Sequence, residues 1–318
     1  MLSPGAEAAR LSVLIFHRVL EAPDPMFPGE VDARQFDEIV GWMRNWCNVL
    51  PLDEAVNRLT AGSLPARAAA ITFDDGYADN HDQALPILQR HGLSATFFIA
   101  TGFLDGGRMW NDTVIEAVRR FNGDRIDLQG MDGFPPDATA VWPAGSIAER
   151  RHVIESIIGK IKYAAPDQRL ALANAVSSRL HVKLPSDLMM TSQQVRDLRR
   201  EGMQIGAHTH NHPILAKLAP EAARLEISRS KQALQDLLGE SVDLFAYPNG
   251  RPGQDYNAQS VSIVRELGFI AAVSTAKGVA TRRSDLFQLP RFTPWDRTRA
   301  RFGLRLASNL VAPAPVLA

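Results

Sequence analysis

Thr72-Phe73-Asp74-Asp75-Gly76-Tyr77 follows a short apolar run, Ala68 to Ile71, that reads as a buried strand. Two adjacent carboxylates stand where the strand should end, and Gly76 permits a tight turn. Side chains alternate along an extended chain, so Asp74 and Asp75 point in different directions. One can bind a metal while its neighbour handles a proton. Like charges this close resist joint ionisation unless a cation is near, so the pair calls for a positive partner. An ordinary Asp-Asp-Gly turn between strand and helix would look the same, and the stretch alone leaves both readings open.

A second stretch, His208-Thr209-His210-Asn211-His212-Pro213, follows the apolar segment Met203 to Ala207. His208 and His212 stand four apart, one helical turn, so both imidazoles can face one point, while His210 need not. Two histidines and one carboxylate form a facial ligand set that leaves positions open on a divalent metal. A solvated His-rich loop is the plain alternative.

The surrounding pattern sets the fold. Leu11 to Phe16 is a short apolar run of the kind found in strands buried on both faces, and it ends in His17-Arg18. Phe36, Ile39, Val40, Met43, Trp46 and Cys47 recur at helical spacing, with Asp32 and Gln35 placed like a capping box. The Met and aromatic stripe is read as packing. Further strands are expected at Ala95 to Ala100, Met203 to Ala207, Leu244 to Tyr247, Phe269 to Val273 and Leu286 to Leu289. Helices are expected around Asp79 to His91, Ser192 to Glu201, Pro220 to Leu238 and Gln254 to Leu267. Seven strands mostly separated by helices point to parallel βα units. Because each reads as a continuous apolar run, a closed or nearly closed barrel fits better than an open sheet, although periodicity alone does not separate the two. His17, Asp74-Asp75, His208, Tyr247 and Arg291 all sit just after the apolar part of their strands, at the ends that form the active face of parallel barrels.

Both motifs carry a resemblance. Thr72 to Gly76 matches residue for residue the first motif of the polysaccharide deacetylases of the NodB-homology type, carbohydrate esterase family 4. His208 to His212 matches the second, H-[ST]-x-x-H. The resemblance runs in pieces from about Leu11 to Trp295. It implies an α/β fold, a distorted (β/α)₇ TIM-like barrel, and metal-assisted hydrolysis of N-acetyl groups. Asp75, His208 and His212 would hold one divalent ion, expected to be zinc, with cobalt, nickel or manganese as alternatives. The ion would polarise the amide carbonyl and lower the pKa of the water, whose proton Asp74 would take as general base.

Phe245-Ala246-Tyr247-Pro248-Asn249-Gly250 looks like the third motif as found in the exopolysaccharide (poly-N-acetylglucosamine-type) deacetylases, and it makes the Tyr247 N–H the expected oxyanion donor. Two departures matter. The family's Arg before Pro-Tyr is replaced by Phe245-Ala246, and Arg291 is the substitute expected to tether the base. The fifth-motif Leu-x-His is absent, since no His follows His212, so His17 is the candidate general acid, with a core-satisfied His as the alternative.

Gly102 to about Met190 interrupts the pattern and is expected to be a largely helical insertion between the third strand and the His motif, with turn-rich pieces that include Phe134-Pro135-Pro136 and helices near Ile147 to Ile161 and Pro166 to Leu180. Trp110 and Asp112 there, and Tyr77 and Asn249 near the motifs, are candidate substrate contacts; a Trp that merely packs the insertion is the alternative. The reading is of a single domain over 1–318 with the insertion at about 102–190 and a loose tail at about 311–318. The arginines at 297, 299, 301 and 305 lie among Phe302, Leu304 and Leu306. They fit either a membrane surface or anionic lipid carrier, or a solvated helix face covering the barrel bottom, and the second is favoured.

Over 318 residues, 35 Lys+Arg balance 35 Asp+Glu, which argues against nucleic acid as the main partner. One cysteine, Cys47, excludes an intrachain disulfide. No segment has the length of a membrane span and Met1 to Arg10 lacks signal-peptide features, so a cytoplasmic location is expected. The leading expectation is a deacetylase of an N-acetylated glycan. An amidase acting on a small non-carbohydrate amide, and a non-catalytic glycan-binding protein, are the competing readings. Oligomeric state is not legible.

Overall fold

Leu11 to Phe16 requires cover on both faces, and the computed structural model provides it: β1 (Ser12–Phe16) is buried at every residue. Residues 3–134, 137–162, 164–294, 296–312 and 316–318 are described; Pro135, Pro136 and Trp295 lie outside them, as does 313–315 of the tail. α1 (Ala33–Trp46) starts on Asp32, whose carboxylate accepts the Gln35 N–H at 2.9 Å, and it buries Phe36, Ile39, Val40 and Met43 as their spacing predicts. β2 (Asn48–Val49) and α2 (Leu52–Thr60) then lead into β3 (Ala68–Phe73), and neither was expected. Two residues are too few to show a period. α2 carries Leu52, Ala55, Val56 and Leu59 on one face, a signal that was present but short.

The helix expected from Asp79 begins instead as a π-helical turn, Asn80–Ala84, before α3 (Leu85–His91). Such turns often mark functional positions. β4 (Thr96–Ile99) follows. The insertion contains α4 (Trp110–Arg120), the hairpin β5 (Arg125–Asp127) with β6 (Val141–Pro143), α5 (Ile147–Ile161) and α6 (Pro166–Arg179). The alternation then resumes with α7 (Ser192–Arg200), β7 (Gln204–Ala207), α8 (Pro220–Leu238), β8 (Leu244–Ala246), α9 (Ala258–Glu266), β9 (Ala271–Val273) and α10 (Arg299–Leu310).

The strands form one parallel sheet in the order β1-β3-β4-β7-β8-β9, with β2 beside β3. The seventh expected strand, Leu286 to Leu289, is corrected: Leu286–Gln288 is a 3₁₀ turn, ordered by Asp285, whose carboxylate accepts the Phe287 N–H. The extended residues just beyond it still serve as a stave. Leu289 bridges Val273 of β9 and Phe292 bridges Leu14 of β1, each in parallel, so the two edges of the sheet meet across one short segment. The sheet thus curls into a distorted barrel, with its weakest seam at that segment.

Contacts divide the chain into two units. The first comprises Met1–Pro23, Gly29–Asp105 and Met189–Ala318; the second comprises Asp24–Pro28 with Gly106–Leu188. The second unit has its own core, in which Val114, Val118, Ile126, Trp142, Ile157 and Val176 pack with Met26. An ion pair of 2.7 Å between Arg119 and Asp24 helps to hold the Asp24–Pro28 strand of chain in that unit.

Candidate active site

Each functional side chain of the first unit follows the C-terminal end of a barrel strand. After β3 the Asp74 N–H donates to the Phe16 carbonyl at 3.0 Å, continuing the ladder with β1. The chain then turns sharply: Asp75 has φ +77° and Gly76 φ +91°. A Cβ at Gly76 would stand 3.3 Å from the Ile99 side chain, so both the backbone angle and the tight packing favour glycine there. The turn sends the two carboxylates to different partners.

Asp74 faces Arg291. The guanidinium donates to both carboxylate oxygens at 2.6 Å, to the Ser274 carbonyl through Nε at 2.9 Å and to Thr72 Oγ1 at 3.2 Å. Both residues are buried. Burial pushes the Asp74 carboxyl up, but the charge of Arg291, then that of His208, outweighs it and holds the group below its ordinary value.

Asp75 faces the histidines. Its Oδ1 is buried without a hydrogen-bond partner and lies 3.4 Å from Nε2 of His208 and 3.4 Å from Nε2 of His212. One ligand atom from each of the three residues falls within 4.8 Å of the others. A buried carboxylate oxygen left unpaired between two imidazole nitrogens is costly unless a cation sits among them, so the donor set fits a divalent metal. Burial raises the Asp75 carboxyl, yet contact with His208 and the charge of His212 more than offset this and leave it well below the carboxylate range. His212 is pushed down to about 4, by burial before all else, and is therefore a neutral donor at physiological pH. Burial lowers His208, but the charges of Asp74 and Asp75 prevail and raise it. Its Nδ1 lies 2.8 Å from the Ala246 carbonyl, which leaves Nε2 available to a metal.

The two imidazoles do not converge through a helical turn, as their spacing predicts. His208 continues β7, its N–H donating to the Ile99 carbonyl at 3.1 Å, and the chain then folds back through left-handed residues Thr209 (φ +63°) and His212 (φ +52°). Thr209 Oγ1 accepts the His212 N–H at 3.1 Å. From α8, the Glu226 carboxylate accepts the N–H groups of His210 (3.1 Å) and Asn211 (2.7 Å) and the Asn211 side-chain amide (2.8 Å). His210 turns aside to Thr101 Oγ1 at 3.0 Å. The Glu226 brace has no local sequence signal, since it lies fourteen residues beyond His212 on a helix surface where a Glu is unremarkable.

His17 is exposed just beyond β1, close enough that a charge on its imidazole lowers Asp74, Asp75 and His212. Two residues the sequence reading passed over fix its backbone. The Asn80 amide donates to the His17 carbonyl at 2.8 Å, and Asp79 accepts the Val19 N–H at 3.0 Å and pairs with Arg18 at 2.8 Å. Tyr77 is buried, with the Arg18 guanidinium 4.7 Å above its ring and a backbone bridge to Met189, so it supports the rim and exposes little of itself.

Tyr247 requires a correction. Its N–H donates to the Val273 carbonyl at 3.2 Å, because the ladder with β9 runs one residue past β8, and its hydroxyl donates to the Phe287 carbonyl. Pro248 has no N–H, and Gly250 donates to Pro248. The Asn249 N–H, on an exposed residue with φ +57°, is the one amide of this turn with no acceptor among the described residues. Trp110 and Asp112 belong to the second unit. There Trp110 opens α4 with the Arg169 guanidinium 5.0 Å over its ring, and Asp112 is buried.

Comparison with known proteins agrees with this geometry. The chain is similar to YxkH of Bacillus subtilis (strain 168), a protein named as a candidate polysaccharide deacetylase, at 21% identity over 285 residues, 89% of this chain and 71% of that one. It shares its fold with the Streptococcus pyogenes deacetylase PplD solved with acetate (TM-score 0.59, 20% identity, 90% and 92% of the two chains). IcaB from Ammonifex degensii has the same fold (TM-score 0.58, 20% identity, 97% and 99%). The profile of one family, described as polysaccharide deacetylase, matches residues 61–128 and 167–272, more than half of the chain. With its two carboxylates, two imidazoles and matching barrel, the chain belongs to the polysaccharide deacetylase family.

Proposed function

We propose that the chain hydrolyses the acetamide of an N-acetylated glycan of the poly-N-acetylglucosamine type, releasing acetate and a free amine. The observation that carries this is the pair of adjacent carboxylates with opposite environments. Asp75 Oδ1 is orphaned between two imidazoles, and Asp74 is locked in a buried bidentate pair with Arg291. Asp75, His208 and His212 would hold the divalent ion, zinc first among candidates given two nitrogen donors and one oxygen. When bound, such an ion supplies Lewis acidity to the acetamide carbonyl and to the attacking water.

The chain's own residues do the rest. Asp74, kept ionised by Arg291, takes a proton from water as its oxygen adds to the carbonyl carbon. The Asn249 N–H, which has no acceptor among the described residues, would donate to the developing oxyanion in the role first expected of Tyr247. His17 at the rim delivers a proton to the nitrogen as the C–N bond breaks. Acetate release from N-acetylglucosamine oligomers by metal-loaded protein tests the reading. Asp74→Asn should lose at least about a hundredfold in kcat. Full activity in that variant would remove the mechanism, and metal retention with no acetate from any glycan would favour a binding role.

A further inference from the structure

The region from Arg297 to Ala318 contains four arginines and no Asp, Glu or Lys, in a chain of zero net charge. The rest of the molecule therefore carries a compensating acidic excess. The same region holds Leu304, Val311, Val316 and Leu317, which are 73%, 60%, 76% and 48% exposed and make up four of the eight large exposed apolar residues among those described. Apolar exposure and positive charge are thus concentrated together.

α10 explains how. Its inner face is anchored: Phe302 is fully buried, with its ring 5.5 Å from Trp42 and 6.1 Å from both Trp46 and Phe292, and Leu306 and Asn309 lie on the same side. Ala300, Leu304, Ala307 and Val311 recur at i, i+4, i+7 and i+11, so they form one outward stripe. Arg301 is exposed beside this stripe and has no carboxylate partner among the described residues. Arg299 lies 5.2 Å over the Trp46 ring, and Arg305 is paired with Asp296. Beyond the helix end, Val311 and Leu317 line a cavity of about 460 Å³ together with Leu310, Arg10 and Arg283, and with Asp285. Asn309 bonds Gly278 in both directions, and the neighbouring Ala280 bridges Leu11 just before β1. The C-terminal end of α10 therefore lies at the end of the barrel away from Asp75.

We infer that α10, with Val311, Val316 and Leu317 beyond it, forms a docking surface for an anionic lipid bilayer. A helix fixed to the protein by one face, with an apolar stripe and the exposed Arg301 on the other, matches an interfacial element; a soluble polyanion would satisfy Arg301 but offer no apolar phase for Leu304 and Val311. Docking through this end leaves the ligand cluster at the opposite end of the barrel open to a polymer.

Co-sedimentation of the full chain with phosphatidylcholine vesicles, with and without phosphatidylglycerol, tests this, with thermal melting as the check on folding. The expected result is binding to the anionic vesicles alone, weakened by salt. Leu304→Asp should reduce it at least about tenfold, as loss of one buried leucine side chain implies. Arg301→Glu should reduce it at least about fivefold. Leu170→Asp, an equally ordinary exposed leucine on α6, should leave it unchanged. Three results would overturn the inference: folded protein that stays in solution at low salt, equal binding to neutral vesicles, or binding indifferent to the two α10 variants. A dimer dispersed by Leu304→Asp, with no vesicle binding, would assign the surface to a second copy of the chain instead.

Discussion

Replacing Arg291 with methionine keeps the length and apolar stem of the side chain and deletes the charge that faces Asp74. In the native protein two bonds of 2.6 Å join the pair out of contact with solvent. Removing one partner of a buried ion pair costs about 3–5 kcal/mol when the other stays charged. Asp74 can escape that cost by binding a proton, since burial, its largest influence, already pushes it upward and only the neighbouring charges hold it down. In the native protein the folded-state pKa is depressed, so the pair contributes stability above the ordinary carboxylate pKa and loses it as pH falls through the folded value. In Arg291→Met the folded pKa lies above the ordinary value, so that contribution changes sign and stability falls as pH rises through it. Catalysis follows the same proton. At neutral pH the variant should lose at least about a hundredfold in kcat, as for a missing base, and should regain part of it as pH rises. Asp74→Asn should regain nothing. The double variant Arg291→Met/Asp74→Asn should match Arg291→Met in stability where Asp74 is protonated, exceed it by up to roughly 3 kcal/mol once rising pH ionises that carboxyl, and stay inactive throughout. The assays are pH profiles of kcat/KM for acetate release and melting temperatures across the same range. An acid limb that does not move in Arg291→Met, together with an unchanged slope of melting temperature against pH, would refute the assigned role of Arg291.

Glu226→Ala should lower divalent-metal affinity about 10–100-fold, measured by competition with a chelator, because three donors of the His210-Asn211 turn lose their acceptor. Glu226→Gln, which keeps one acceptor oxygen, should fall between it and the native protein; equal affinity in all three would show that the turn holds itself. His17→Gln should lower kcat on N-acetylated sugars by about a hundredfold while sparing KM. An acetanilide with a nitro-substituted ring, whose amine leaves without a full proton, should be hydrolysed at nearly the native rate by that variant. An equal loss on both substrates would exclude His17 as the acid.

The strands and the Asp75-His208-His212 cluster were legible because each depends on local pattern, while the choice of a barrel over an open sheet leaned on the family resemblance as well. Strands such as Leu11 to Phe16 are covered on both faces and therefore read as unbroken apolar runs, and Asp75, His208 and His212 stand at turns directly after them. Arg291 was legible through the family resemblance: the Arg that would tether the base is missing before Pro-Tyr, and an arginine beyond the last expected strand could replace it if the barrel closed. The failures share a cause as well. Tyr247 lost its assigned role although the strand was read as reaching it: its N–H is taken by the Val273 carbonyl of β9, and no single-chain pattern carries that register. The spacing of His208 and His212 gave the right convergence for the wrong reason, since a loop with two left-handed residues and an external brace closes the same gap that a helical turn would. Asn80, Asp79 and Glu226 hold the backbone of the catalytic loops through one or two hydrogen bonds each across the fold, and their side-chain chemistry is common on any surface. Ligand atoms can be read from the motifs, whereas the polar groups that aim them become visible only once the helices are docked.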